Sequence, residues 1–285
     1  DLEVYEHQNP VLFLWRKLNE ASGGIGRTHG GSGVRVAWTP WRTPGGQITA
    51  VTACNQVPPS GLFGGWPGSG GGFRISHGGK VDEMLRGGHI PASYDELDGE
   101  VVDLAPKTFA EPLPAGEIFE MHAGGGGGVG DPLEREPEKV CADVRDLYLP
   151  AAVAASAYGV RCSQSGELDA AGTAELRERM LAERRAWPVD SGGHPGAPRF
   201  TPSGADPQPT ACLHCGHQLA AAGEDFRDRV PSRVRPAAAA LAEVGAWAAP
   251  RPGVDIAEFA CPECGYLASV DVIVDEGAGA AAARD

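Results

Sequence analysis

Long apolar runs are missing from this 285-residue chain. No stretch of some 18 apolar residues exists, so no transmembrane helix is expected. Positive charge is scarce too: 24 Lys and Arg stand against 38 Asp and Glu, for a net charge of −14. Only four lysines occur (Lys17, Lys80, Lys107, Lys139), none beyond residue 139. A chain so acidic makes a poor counterion for phosphate backbones, which argues against nucleic acid as a partner. The arginines Arg227, Arg229, Arg233 and Arg235 are interrupted by acids and prolines, and read as a solvated surface. The first residues, Asp1-Leu2-Glu3-Val4-Tyr5, lack the basic and apolar regions of a secretion signal. Seven cysteines form an odd set, which argues against a disulfide framework. A reducing, cytoplasmic location is expected.

Glycine, by contrast, is abundant: 41 residues, about twice the usual 7% share. It concentrates in the first 130 residues, between short strand-like stretches. Val11 to Leu18, Val34 to Trp38, Gln47 to Cys54 and Gly72 to Ser76 carry strand patterns. So much glycine raises the entropy lost on folding and points to a subunit stabilised by partners.

From Asp131 the pattern becomes helical. Pro137 suits a first turn, with Val140, Val144, Leu147 and Tyr148 on one face. Pro150 opens a second helix, Ala151 to Tyr158, closed by Gly159. A third is expected from about Thr173 to Trp187, burying Leu176, Met180 and Leu181. Residues 188–210, rich in Pro, Gly and Ser, read as a linker. Further on, Pro236 to Trp247 is a helix candidate and Leu267 to Val274 a closing strand. The tail after 275 reads as disordered.

The most specific local signal is a pair of hooks, Cys212-Leu-His-Cys215-Gly and Cys261-Pro-Glu-Cys264-Gly. Each CxxC turn points two sulfurs the same way, and the following glycine permits the tight turn. Two such turns close a four-thiolate tetrahedron around one ion, so Cys212, Cys215, Cys261 and Cys264 are the expected metal ligands. Zinc is the first choice and iron the alternative; two disulfides or four free thiols are the readings without a metal. A closed site of this kind holds structure and has no open position for chemistry.

The run Gly124 to Gly130, followed by Asp131-Pro132, has two readings. Its amides could cradle a phosphate. Alternatively, it is a tight, ligand-free crossing of backbones, which the missing Lys-Ser or Lys-Thr of a P-loop favours. Asp131 could cap the following turn. The histidines show no metal spacing outside His214 and His217, and His29 and His122 read as structural. No catalytic or nucleotide-binding residue can be named from the sequence.

Three blocks taken together resemble the hydantoinase B/oxoprolinase family, in its C-terminal part. They are Ser22 to Gly33 (SGGIGRTHGGSG), Pro58 to Gly68 (PPSGLFGGWPG), and Gly124 to Pro137 with Val144-Arg145-Asp146 and Tyr158-Gly159-Val160 following. Order and spacing agree with the family over about residues 1–162. His29 stands where an arginine is common, and Val129 where an aromatic is common. The resemblance implies work with an ATP-binding A-type subunit, and with a chain carrying the N-terminal part of a B-type subunit. The N-terminal block that the family associates with its active-site metal is absent here, so ATP and a divalent metal are expected on partner chains. The small molecule is either a ketone with bicarbonate or a cyclic amide. Acetone and acetophenone carboxylases carry a small zinc-binding subunit or domain, which favours the carboxylase. A ring-opening amidohydrolase and a non-catalytic assembly subunit are the alternatives. The expected fold is α+β: a glycine-rich, β-dominated domain over 1–162, a helix and linker over 163–210, a four-cysteine zinc ribbon over 211–275 and a tail over 276–285.

Overall fold

A computed structural model describes residues 1–189, 211–221, 224–246, 250 and 252–275. The linker beyond residue 189, the tail 276–285 and Trp247 lie outside the described residues. The fold is α+β with antiparallel sheets. It separates into two compact units that each draw on several stretches of chain.

The first unit comprises residues 1–19, 33–55 and 71–124. It contains α1 (Leu2–Gln8), β1 (Val11–Leu18), β2 (Val34–Pro40), β3 (Gly45–Val51), β4 (Gly72–His77), α2 (Val81–Arg86), β5 (Glu100–Asp103), β6 (Lys107–Pro114) and β7 (Ile118–His122). Five strands form a sheet in the order β1-β2-β7-β4-β5, while β3 and β6 pair as a separate ribbon. Alternation along each strand gives the sheet two faces. On one face Phe73, Ile75 and Phe119 meet Ile48, Ala50 and Leu113 of the β3–β6 ribbon. The other buries Trp15, Ala37 and Ile118 with Val81 of α2.

The second unit comprises residues 20–32, 56–70 and 125 onward. Its elements are α3 (Pro137–Arg145), α4 (Ala151–Tyr158), α5 (Ala170–Arg185), β8 (Ser232–Pro236), α6 (Ala237–Glu243), β9 (Val254–Ala260) and β10 (Leu267–Val274). Strands order as β10-β9-β8. One apolar cluster joins Ile25 and Trp66 from the glycine blocks, Val140 of α3, Ala154 of α4, Leu241 of α6, Ile256 of β9 and Leu267 of β10.

Where the three glycine blocks meet, backbone packs on backbone. Gly125 and Gly128 donate to Ser69 and Trp66 carbonyls (3.2 and 2.9 Å). Gly126 and Val129 donate to Gly31 and Thr28 (both 2.9 Å). Donors and acceptors both step by three residues, the period of a polyproline II helix, whose bonds go to neighbours and not within itself. A Cβ at Gly125 would stand 1.9 Å from the Ser22 carbonyl oxygen, and one at Gly127 2.1 Å from that of Ser60. At these closest approaches glycine is therefore a packing requirement. Because these amides are already bonded to protein carbonyls, they form no phosphate cradle, and the crossing reading holds.

Several expectations need correction. The first helix ends at Arg145; Leu147 takes a positive φ of 62° and is 75% exposed, and Tyr148 is exposed, so neither joins the buried face. In α5, Leu176 is buried but Met180 and Leu181 are only half-buried; Arg184 takes the inner position instead. That helix starts at Ala170 because the Asp169 carboxylate caps the Gly172 N–H at 2.9 Å. The helix expected from Pro236 covers Ala237–Glu243, since Pro236 ends β8. The strand expected over Gln47 to Cys54 is Gly45–Val51.

Candidate metal centre

Both hooks fold the same way. Cys212 N–H donates to His217 O at 2.8 Å, and Gly216 N–H to Cys212 O at 2.9 Å. In the second hook Cys261 N–H donates to Tyr266 O at 2.8 Å, and Gly265 N–H to Cys261 O at 2.9 Å. Gly216 and Gly265 take φ of 75° and 80°, a left-handed turn that a side chain would resist.

The turns bring Cys212, Cys215, Cys261 and Cys264 together, with all four sulfurs within 4.8 Å of one another. Cys212 and Cys264 stand 3.7 Å apart across the hooks, as do Cys215 and Cys261. A disulfide requires about 2.05 Å, so these are not bonded pairs. Four sulfurs at about 2.3 Å from a central ion form a tetrahedron with edges of about 3.8 Å. The observed separations fit that figure, so the donor set suits a metal ion. Burial and the neighbouring sulfurs push the Cys264 thiol well above its ordinary range, and burial likewise raises Cys261. Four thiolates this close repel unless a cation lies among them.

The surroundings are built to hold the hooks. Cys212 and Cys261 are buried with Phe226, Val230 and Phe259. Arg227 lies over the Phe226 ring (4.9 Å) and binds Asp271 at 2.5 Å. His214 sits inside the first hook, but its Nδ1 meets Glu134 at 3.0 Å and its ring stacks on Tyr266 with centroids 3.8 Å apart. It is turned to these partners. His217 is exposed and contributes its carbonyl to the hook. Of the other cysteines, Cys54 is exposed, Cys141 buried and Cys162 half-buried.

Asp131, expected as a cap, does more. One carboxylate oxygen accepts from Leu133 N–H at 2.8 Å, capping the turn. The other accepts from Arg184 at 2.6 Å and from Leu267 N–H at 2.5 Å. The end of the glycine run, α5 and the strand leaving the second hook thus share one buried carboxylate.

Two charged clusters escaped the sequence reading. Glu258 of β9 is fully buried and accepts from Arg233 at 2.8 Å and Arg235 at 3.1 Å, both on β8. These arginines are therefore partners of a core carboxylate and not a solvated surface; Arg229 is the exposed one, on Glu224. In the first unit, buried Glu120 accepts from Trp15 Nε1 (2.9 Å), Arg35 (2.9 Å) and His122 Nε2 (2.6 Å). Burial alone would raise its carboxyl; the hydrogen bonds from His122, Arg35 and Trp15 overcome that and hold it at about 2.

A cavity beside the hooks, lined by residues that include Arg27, Phe63, Glu134, Leu213 and Tyr266, measures about 80 Å³. Small-molecule sites run to roughly 300 Å³ or more, so it is small for a substrate.

Comparison with known proteins bears out the resemblance. Residues 1–132 match the hydantoinase B/oxoprolinase family, and residues 205–276 match the acetone carboxylase gamma subunit family. The chain is 29% identical over 206 residues to the acetone carboxylase alpha subunit of Xanthobacter autotrophicus, which covers 66% of this chain and 26% of that protein. It is 29% identical over 173 residues to caprolactamase subunit beta of Pseudomonas jessenii, covering 61% and 27%. A solved nucleotide-free structure of acetone carboxylase, from work on ATP-dependent acetone carboxylation, aligns with TM-score 0.60 and 28% identity over 66% of this chain and 27% of that one. The chain spans about a quarter of the length of these relatives.

Proposed function

We propose that this chain is a subunit of an ATP-dependent, multi-subunit ketone carboxylase, with one structural zinc held by Cys212, Cys215, Cys261 and Cys264. The observation that carries the reading is the joining of an alpha-like glycine-rich region and a gamma-like ribbon in one polypeptide. The proposed organisation is a hydantoinase B/oxoprolinase-like region over 1–162 and a ribbon over 211–275. Zinc supplies charge neutralisation and cross-linking of the two hooks; the chain's own part is to orient four sulfurs. With no open ligand position, the site does no chemistry on substrate.

Catalysis belongs to partners: an ATP-binding A-type subunit and a chain carrying the N-terminal part of a B-type subunit, with ATP and a divalent metal bound there. ATP activates the substrate by phosphorylation. The chain alone is inactive, and the complex works in the cytoplasm. No described helix is long and apolar enough to cross a membrane. The second reading, a ring-opening amidohydrolase, draws on the likeness to caprolactamase subunit beta. The ribbon match favours the first.

The test is carbon fixation by the reconstituted complex. Labelled bicarbonate should enter an acid-stable product only when ATP and a ketone are both present. ATP turnover driven by a cyclic amide without bicarbonate would replace this reading with the second.

A further inference from the structure

The proposed reaction leaves the ribbon's own role open, and the packing of the second unit addresses it. Resting on that proposal, we infer that residues 211–275 are this protein's built-in gamma-type subunit, docked in cis, and that the assembled enzyme takes up no separate ribbon chain. Two regions that match differently named subunits of acetone carboxylase stand here on one polypeptide. Their mutual surfaces are filled.

Three contacts define the junction. First, Leu267 N–H, just past the second hook, bonds the buried Asp131 carboxylate that ends the glycine run. Second, Gly265 lies so close to α5 that a Cβ there would stand 2.4 Å from the Leu181 carbonyl oxygen, and Arg185 donates to the Cys264 carbonyl at 3.1 Å. Third, Gly64 of the second glycine block approaches Leu267 backbone closely, where a Cβ would stand 2.3 Å from its carbonyl oxygen. Apolar burial backs these contacts, since Ile256, Ala260, Leu267 and Val270 of the ribbon share one cluster with Ile25, Trp66 and Val140. Close backbone approach at two glycines and a carboxylate shared by three segments are the marks of a fitted interface. Tethering makes this docking intramolecular, at an effective concentration in the millimolar range. A free ribbon chain at micromolar concentration could not displace it.

The experiment has two arms. The complex is isolated through a tag on this chain and weighed by native mass spectrometry. The expected result is no separate gamma-type chain; a stoichiometric one overturns the inference. In the second arm, purified acetone carboxylase gamma subunit is titrated onto the wild-type protein and onto Asp131→Ala/Gly64→Leu, which leaves both hooks untouched. The wild type should not bind at micromolar concentration. In the double variant, amide exchange across residues 211–275 should rise at least tenfold. Micromolar binding by the wild type, or a ribbon equally protected in the variant, overturns the inference. The wild-type measurement stands even if the variant fails to fold. A carboxylase containing a separate ribbon chain would sink this assignment and spare the proposed function. A single-ribbon complex that opens lactams would do the reverse.

Discussion

The glycine crossing and the cysteine hooks belong to one compact unit and are held in opposite ways. The crossing works because side chains are missing. Its carbonyls and amides meet directly, and the bonds repeat every three residues. The hooks work because side chains are present: four sulfurs meet at separations that suit a metal ion, on two short turns. At its closest approaches, such as Gly125 and Gly127, the first device is intolerant of an added atom. On the proposed reading the second depends on a bound ion, which would open its stability to pH and chelators.

The largest expected effect falls on the crossing. Gly127→Val pushes bulk into the Ser60 carbonyl, with no flexible neighbour to move aside. It should cost more than about 4 kcal/mol and leave little folded protein, as read by denaturant titration. Near-normal stability would mean that the crossing is loose. Next, Cys215→Ser removes one of the four proposed ligands. Zinc content should fall to near zero and amide exchange in residues 211–221 and 254–275 should rise, while the five-stranded sheet of the first unit stays protected. Retained zinc would contradict the ligand set.

Asp131→Asn sits between the two devices. The variant keeps an acceptor for the Leu133 cap but loses the charge facing Arg184, which is buried. Breaking such a pair costs about 3 kcal/mol, and the loss should appear in both the crossing and the hooks by hydrogen exchange. An effect confined to one would show that they are not joined through this residue.

These contacts also show what could be read in advance. β10 was legible to the residue because Val270, Val272, Ile273 and Val274 form a β-branched run just after the second hook. α4 was legible because Pro150 and Gly159 bracket it. The hooks announced themselves through spacing. β7 did not, because Glu120 and His122 look like surface residues and their buried partners, Trp15 and Arg35, are distant in sequence. Arg233 and Arg235 were misread, and Arg184 was missed, for the same reason: a charged side chain reveals burial only through its partner. The sharing of one apolar cluster by ribbon and helices left no periodic trace at all.

A smaller effect separates the first unit from both devices. Glu120 is held at about 2, below its ordinary 4.5, so its ionised form is favoured by folding. Its contribution is complete above about 4.5 and is lost as pH falls toward 2. Unfolding free energy should drop across that window, and Glu120→Gln should flatten the drop. An unchanged profile would show that the cluster is not coupled to stability. The smallest effect is expected at Gly31→Ala, within the first glycine block. A Cβ there meets nothing within 4 Å, so stability should shift by less than about 1 kcal/mol in thermal melts. A large loss would mean that every glycine of the block is required, and not only those at the contacts.

The contrast rests on a metal ion closing the hooks, and X-ray absorption at the zinc edge of the purified full chain tests this most directly. One zinc per chain, with four sulfurs at about 2.3 Å and no nitrogen or oxygen ligand, is the predicted result. An absent metal, a mixed ligand shell, or sulfur–sulfur bonds near 2.05 Å would contradict it.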